Sequence, residues 1–458
     1  MKNQFIKYFI LIMLSVFMAS CSAHNEEIIP DYFEIDKNTE DFNGAVFYFA
    51  PWRVSMYFPQ SGDTDAGDKM LKRYSETEKK FNCTFTYVNM DSEAYDASAI
   101  TTRYIAGLTV PDIIDREVGV AYSLYKANFL ASMNEISTVN ASDDKYGPLY
   151  FRAQSIFNNE VYGFCPYEWE WMPEIHGIIL TNNNLIRKMG LTSPYDFIEN
   201  DTWTWDTMEE QLDLATYTDG DVTYTGMLVK SGGTTPADMA QSAAFSNGAQ
   251  MLVDNNGKIV FGMTSPQAIK AFDYLSNLYQ KKLCKDKEVD NFVNEEGPYY
   301  FTRSYEATSI EEGAIGYKLD DYGMIRFPKG PDNKGETGTY VAYDRLLYIV
   351  KMTKNDIESI GKIIDFMFEP LDNSGGWKER ARYIFHHDQD IDFYIDAIEK
   401  PSYNYQIQLG DNYDNFRTAV MSVLSGRETA VSAMQSIESA INEYVAEKDV
   451  KLISWENQ

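Results

Sequence analysis

The chain has 458 residues, 44% of them hydrophobic, which suits two or three domains with a substantial core and fits neither wholesale disorder nor a polytopic membrane protein. Its 40 Lys and Arg against 69 Asp and Glu give a net charge of −29, which argues against a nucleic-acid partner, because neutralising phosphates needs a basic face. Tyrosine (33) and phenylalanine (26) are abundant, so aromatic faces are plentiful.

Lys2 and Lys7 flank the start of a short apolar run, Tyr8 to Phe17, followed by Met18-Ala19-Ser20-Cys21. The run is too short to span a bilayer as a lone helix and reads as a secretory signal. Its end resembles the bacterial lipobox, with Met18 where Leu is commonest, which implies a diacylglycerol on Cys21 and cleavage before it. An ordinary secretory signal with a chance cysteine is the bland alternative. Cys83, Cys165 and Cys284 then remain, too few and odd in number for a disulfide framework, and are expected as buried thiols. Residues from Ser22 to about Asn43 are polar and acidic and read as a tether.

The body opens on β-formers, Val46 to Phe49, ended by Ala50-Pro51. Asp68 to Phe81 carries Met70, Leu71, Tyr74 and Phe81 among charges, a helical pattern. Cys83, Phe85 and Tyr87 alternate with threonines as a strand. Tyr95 to Ala106 predicts a helix stopped by Gly107, and Pro111 to Asp115 the next strand. This β-α-β-α-β order predicts an α/β fold with a doubly wound sheet. Further strands are predicted at Val161–Phe164, Gly177–Leu180, Met324–Phe327 and Arg345–Val350. Ser265-Pro266 opens a capped helix carrying Ile269, Phe272, Leu275 and Tyr279. Helices dominate after Asn355, ending with a pair over Asn415 to Tyr444 that breaks at Gly426, with Thr429 as cap.

The order of segments resembles the family 1 extracellular solute-binding proteins, the sugar-binding receptors of ATP-driven importers with the maltose-binding-protein fold. The likeness rests on Phe42-Asn43-Gly44-Ala45-Val46, Ala106-Gly107 with Pro111-Asp112-Ile113-Ile114, and Tyr162-Gly163-Phe164-Cys165-Pro166. It continues through Leu180 to Leu185 with Met189-Gly190-Leu191, Thr202-Trp203-Thr204-Trp205-Asp206, Arg326 to Pro331, and Arg417 to Val420 with Ser425 to Thr429. It covers about residues 42–446. Asn183 and Asn184 depart from the family's usual Lys-Asp, and the tail after Met367 is longer than in short members. The resemblance implies a two-lobed periplasmic-binding-protein type II fold, each lobe a helix-flanked sheet discontinuous in sequence. It divides the chain into a signal at 1–20, a tether at 21–41, an N-terminal lobe of 42–166 with 295–330, and a C-terminal lobe of 167–294 with 331–458. The implied protein is a monomer lipid-anchored on the extracytoplasmic face of the cell membrane. It captures a carbohydrate between its lobes and delivers it to the permease subunits of an ABC transporter.

Sugar C–H faces pack on aromatic rings, and sugar hydroxyls need directional carboxylates, amides or guanidinium groups. Three segments supply both. The first holds Trp52, Arg53 and Tyr57. The second holds Asp115, Arg116 and Glu117. The third, at the expected hinge, holds Tyr167, Glu168, Trp169, Glu170 and Trp171, then Glu174. Trp377 sits where the family often places a further aromatic. Each has a bland alternative: Trp52 as a cap on the sheet edge, Asp115 as a helix N-cap, and the hinge aromatics as lobe contacts. Trp203 and Trp205 are expected in the core.

No motif carries catalysis or implies a cofactor. Asp388, Asp390, Asp392 and Glu399 have the acid placement of a calcium loop, but its sixth position is Phe393 instead of Gly, and an acidic helical face is the simpler reading. A surface-anchored glycosidase using two carboxylates, and a receptor for peptides or cations, remain as alternatives.

Overall fold

The computed structural model describes residues 40–454 apart from 53, 63–64, 91–92, 94, 166–171, 232–235, 309–314, 336–339, 342–344 and 372–375; the side chains of 56, 66, 308, 316–317, 340–341 and 376–377 also lie outside the description. The signal, Cys21 and the tether up to residue 39 fall outside it as well.

β1 (Ala45–Ala50) buries Phe47 and Phe49 and leaves Val46 exposed, the alternation of a half-covered strand. α1 (Asp65–Phe81) turns Met70, Tyr74, Thr77 and Phe81 inward at helical spacing. Acids in its first turn and lysines in its last complement the helix dipole. β2 (Cys83–Tyr87) pairs in parallel with β1. α2 (Ala97–Ile105) is capped by Asp96, whose side chain accepts from the Ser98 amide, and is followed by Gly107 at φ +67°. β3 (Ile113–Glu117) lies on the other side of β1. α3 (Val118–Lys126), β4 (Leu130–Ala131), α4 (Leu149–Arg152) and β5 (Gly163–Phe164) complete this stretch.

The chain then crosses to a second sheet. β6 (His176–Asn182) is buried over most of its length. α5 (Pro194–Glu199) starts on a Ser193 cap with Pro at its first position. α6 (Trp205–Ala215) starts on a capping box between Thr204 and Thr207. β7 (Met227–Lys230), α7 (Pro236–Ser246), α8 (Pro266–Gln280) and β8 (Cys284–Lys287) follow, and β8 pairs in parallel with β7. β9 (Tyr299–Arg303) and β10 (Tyr322–Arg326) flank β6, both antiparallel to it.

The chain returns to the first sheet in β11 (Arg345–Val350), antiparallel to β3, β4 and β5. The first sheet therefore runs β2-β1-β3-β11-β4. The second runs β8-β7-β9-β6 and continues through Tyr340–Val341 and Ser402–Tyr403. α9 (Ile357–Met367) covers the first sheet with Ile360, Ile363, Ile364 and Met367. α10 (Asp388–Glu399) lies in the third crossing. α11 (Asp411–Leu424) and α12 (Ala430–Glu447) pack on α7 and α8 of the second lobe.

The sheets correct the lobe assignment in two places. Residues 295–330 are expected in the N-terminal lobe, yet β9 and β10 within them hydrogen-bond to β6 in the second sheet. Conversely, β11 and α9, expected in the C-terminal lobe, belong to the first. The apolar character of these strands is the same on either sheet, so only pairing register distinguishes them. The acid-rich window at Asp388 to Glu399 is helix and forms no loop. Cys83, Cys165 and Cys284 are buried thiols, as expected.

Candidate functional site

Parallel strands deliver their carboxyl ends to one edge of a sheet, and ligand sites in open α/β folds lie there. In the first lobe that edge carries Trp52, just after β1, and Asp115-Arg116-Glu117, the last residues of β3. Asp115 is 1% exposed and accepts from the Trp52 amide at 3.4 Å. Burial pushes its carboxyl above the ordinary value; Arg345, Arg116 and the Tyr57 hydroxyl pull it back. The antiparallel β11 starts here, with Arg345 opposite Glu117, because the second crossover re-enters the sheet beside β3. The Arg345 guanidinium lies over the Trp52 ring, 3.3 Å from its centroid. That cation–π contact holds the indole and occupies one of its faces.

The second lobe contributes a charged cluster at the start of β6. Glu174, two residues before the strand, pairs with His176 at 3.1 Å and with Arg303 at 3.0 Å. Arg303 reaches it because the β9 register shifts between Thr302 and Arg303, setting Arg303 opposite His176. Such irregularities re-aim a strand's side chains. Burial resists ionisation of Glu174, but the His176 hydrogen bond and the charges of Arg303 and Arg345 outweigh it and hold the carboxyl well below the usual range. Arg345 acts on Asp115 and Trp52 on one side and on Glu174 on the other. The first lobe, the first crossover and the second lobe thus meet in one electrostatic cluster.

The structure brings together Trp52, Tyr57, Asp115 and Glu174 of the residues singled out in the sequence. Arg116 is 1% exposed, and its guanidinium donates to the carbonyls of Asp115 (2.7 Å) and Ala50 (3.3 Å), which ties β3 to the end of β1. Arg53, Tyr167, Glu168, Trp169, Glu170 and Trp171 lie outside the described residues. Trp377 falls in the helix Gly376–Ile384, with its side chain outside the description. Trp203 and Trp205 are in the core, 5% and 4% exposed. Trp203 donates to the Arg326 carbonyl, and Trp205 stacks on Tyr274 with centroids 4.4 Å apart.

Sequence reasoning misses Arg345, Arg303 and a site role for His176. Arg345 opens a strand that the sequence does predict, so its place at a chain crossing is the usable signal. Arg303 follows the aromatic run Tyr299-Tyr300-Phe301, itself a strand signal. Nothing in the sequence marks the register shift that aims it.

No family model matches the chain, and no curated protein does. Solved structures do. The cyclic α-maltosyl-1,6-maltose binding protein from Arthrobacter globiformis superposes with a TM-score of 0.64 at 13% identity, over 88% of this chain and 100% of that one. The maltose-binding periplasmic protein from Listeria monocytogenes, in complex with maltose, gives 0.61 at 16% identity, over 89% and 99%. A sugar transporter protein from Rhizobium etli in an open conformation gives 0.62 at 14% identity, over 87% and 99%. At these identities the likeness is one of fold. The chain has the two-lobed α/β fold of the maltose-binding receptors.

Proposed function

We propose that this protein is an extracytoplasmic substrate-binding protein that captures a carbohydrate between its lobes and hands it to an ABC permease. The observation that carries the reading is the meeting of Trp52 and Asp115 from the first lobe with Glu174, His176 and Arg303 from the crossover and second lobe. An aromatic face beside fixed acceptors and donors is what a sugar ring needs. A ligand touching both lobes favours the closed form through contacts that the open form lacks. The folds of the sugar-binding neighbours support the same reading. The lipobox-like Met18-Ala19-Ser20-Cys21 supports anchoring through a lipid on Cys21. The hinge stretch Tyr167 to Trp171, Arg53 and Trp377 are proposed as further ligand contacts on the sequence argument alone.

Calorimetric titration and thermal shift with maltose, maltotetraose and a cyclodextrin test this, with chromatography of the same mixtures. The expected result is saturable binding by at least one sugar, a raised Tm, and sugar recovered intact. Shortened sugar products would replace the receptor with a glycosidase. Silence toward sugars with a response to peptides or divalent cations would overturn the carbohydrate reading.

A further inference from the structure

Away from the cleft, the first turn of α10 carries a second group of titratable side chains that capture of a ligand does not use. Asp390 is 0% exposed. Its carboxylate accepts from the Tyr195 hydroxyl of α5 at 2.7 Å, and the Met324 amide of β10 points at it. His387, the residue before the helix, packs against the Tyr195 ring and sits 3.1 Å from Asp321. Asp321, just before β10, also holds Asn183 at 2.8 Å and Arg187 at 2.7 Å. Thr181 of β6 donates to Asn183, and Tyr322 of β10 packs against His386. His387 and Arg187 both face Asp321, whose negative charge opposes ionisation of Asp390, whereas His387 acts on Asp390 in the opposite sense.

The helix that this turn begins touches both lobes and the first crossover. Its Phe393 lies under Arg326 of β10 in the second lobe. Its Tyr394 donates to the Pro173 carbonyl in the first crossover. Its inner face shares a core with Phe151 of α4 in the first lobe.

We propose that the N-terminal turn of α10 is a proton-operated latch: protonated Asp390 locks the third crossover onto the second lobe, and ionised Asp390 loosens it, so that lobe motion answers to pH. The Tyr195 hydroxyl, the Met324 amide and His387 all favour the carboxylate, but complete burial, helped by the charge of Asp321, opposes it more strongly. Burial pushes Asp390 up to about 7, against an ordinary value of about 4. The turn is therefore fully stabilised below the ordinary value and loses that stabilisation as pH rises through the folded value. Its opening constant should rise about tenfold per pH unit between about pH 4 and 7, then level off.

Amide hydrogen exchange of the full chain tests this, read on peptides covering residues 386–399 from pH 5 to 8 and corrected for intrinsic exchange. The wild type should show the rise and the plateau. Asp390→Asn should remove the slope, and His387→Gln should keep it. A flat wild type, an unchanged slope in Asp390→Asn, or loss of the slope in His387→Gln would each overturn the latch. Titration of the Asp390 carboxyl carbon by NMR in the wild type reads the same group without mutation. A midpoint between pH 6 and 8 supports the proposal, and one outside that range overturns it.

Discussion

At Glu174, burial and neighbouring charge pull in opposite directions, and charge wins. His176, Arg303 and Arg345 hold the carboxyl ionised in a place that water barely reaches. Removing one partner of such a cluster leaves the others buried without compensation, at a cost of about 3 kcal/mol. Glu174→Gln should therefore lower Tm at pH 7, read by calorimetry. Because its folded value is depressed, Glu174 stabilises above the ordinary carboxylate value, and that stability is lost as pH falls through the folded value. The variant's Tm should consequently fall less steeply than the wild type's below about pH 4; parallel acid limbs would remove Glu174 from the cluster. Arg345→Met should weaken sugar binding, because it frees the Trp52 ring to tilt and leaves Asp115 with one fewer cation. An unchanged affinity by titration would show that the stacked guanidinium is dispensable. Trp52 and Asp115, which the structure places side by side, could be singled out in the sequence because their chemistry is local: an aromatic and an acid just after apolar runs. Arg303 was not, since its role follows from a one-residue shift in pairing.

Helices in this chain announce their ends. Ser265 with Pro266, Thr204 with Thr207, and Thr429 after Gly426 all mark the boundaries found. Gly426 adopts φ +72°, the left-handed region that ends α11, so the C-terminal pair breaks where the sequence predicts. β10 and β11 were legible as strands, β7, β8 and β9 were not predicted, and the sheet that β9 to β11 join was not legible. β9 and β10 have no marker of which lobe they join, because a buried strand reads as a plain apolar run in either. Two substitutions test the packing. Trp205→Ala removes the ring stacked on Tyr274 in the second-lobe core and should cost about 3–5 kcal/mol while leaving the fold of the first lobe intact. Thermal melts measure it, and a loss below 1 kcal/mol would place the ring outside the core. Gly323→Ala acts on β10: an added Cβ would meet the Tyr195 hydroxyl at 1.8 Å and Thr181 Oγ1 at 2.7 Å. Overpacking of this kind costs about 1–3 kcal/mol. The variant should also displace Tyr195 from Asp390, which a shift in the Asp390 carboxyl titration would report.

At the scale of the whole molecule, the order of segments made the two-lobed fold legible where no single motif did. β5 lies in the first sheet and β6 in the second, the chain is back in the first at β11, and it changes sheet again between Met367 and Ser402. A fold threaded this way cannot be cut into lobes by cutting the chain once. Its core is shared as well: Ile114, Tyr348 and Phe151 of the first lobe form one buried cluster with Ile178, Tyr300 and Met324 of the second, through Ile175, Tyr394 and Ile398. Ordinary interdomain contacts are smaller and more polar, and allow domains to melt apart. Here, unfolding either lobe exposes apolar surface of the other and of α10, so each lobe lends stability to its neighbour. Calorimetry of the full chain should accordingly show one endotherm, with van't Hoff and calorimetric enthalpies equal. A bound sugar should move that endotherm as a unit, by about 2.7 kcal/mol of stabilisation at a hundred times its Kd. Tyr394→Ala, which removes both the Pro173 hydrogen bond and a ring of the shared core, should split the endotherm into two. Two resolved transitions in the wild type would show that the lobes fold independently and that the shared core couples them less than its burial implies.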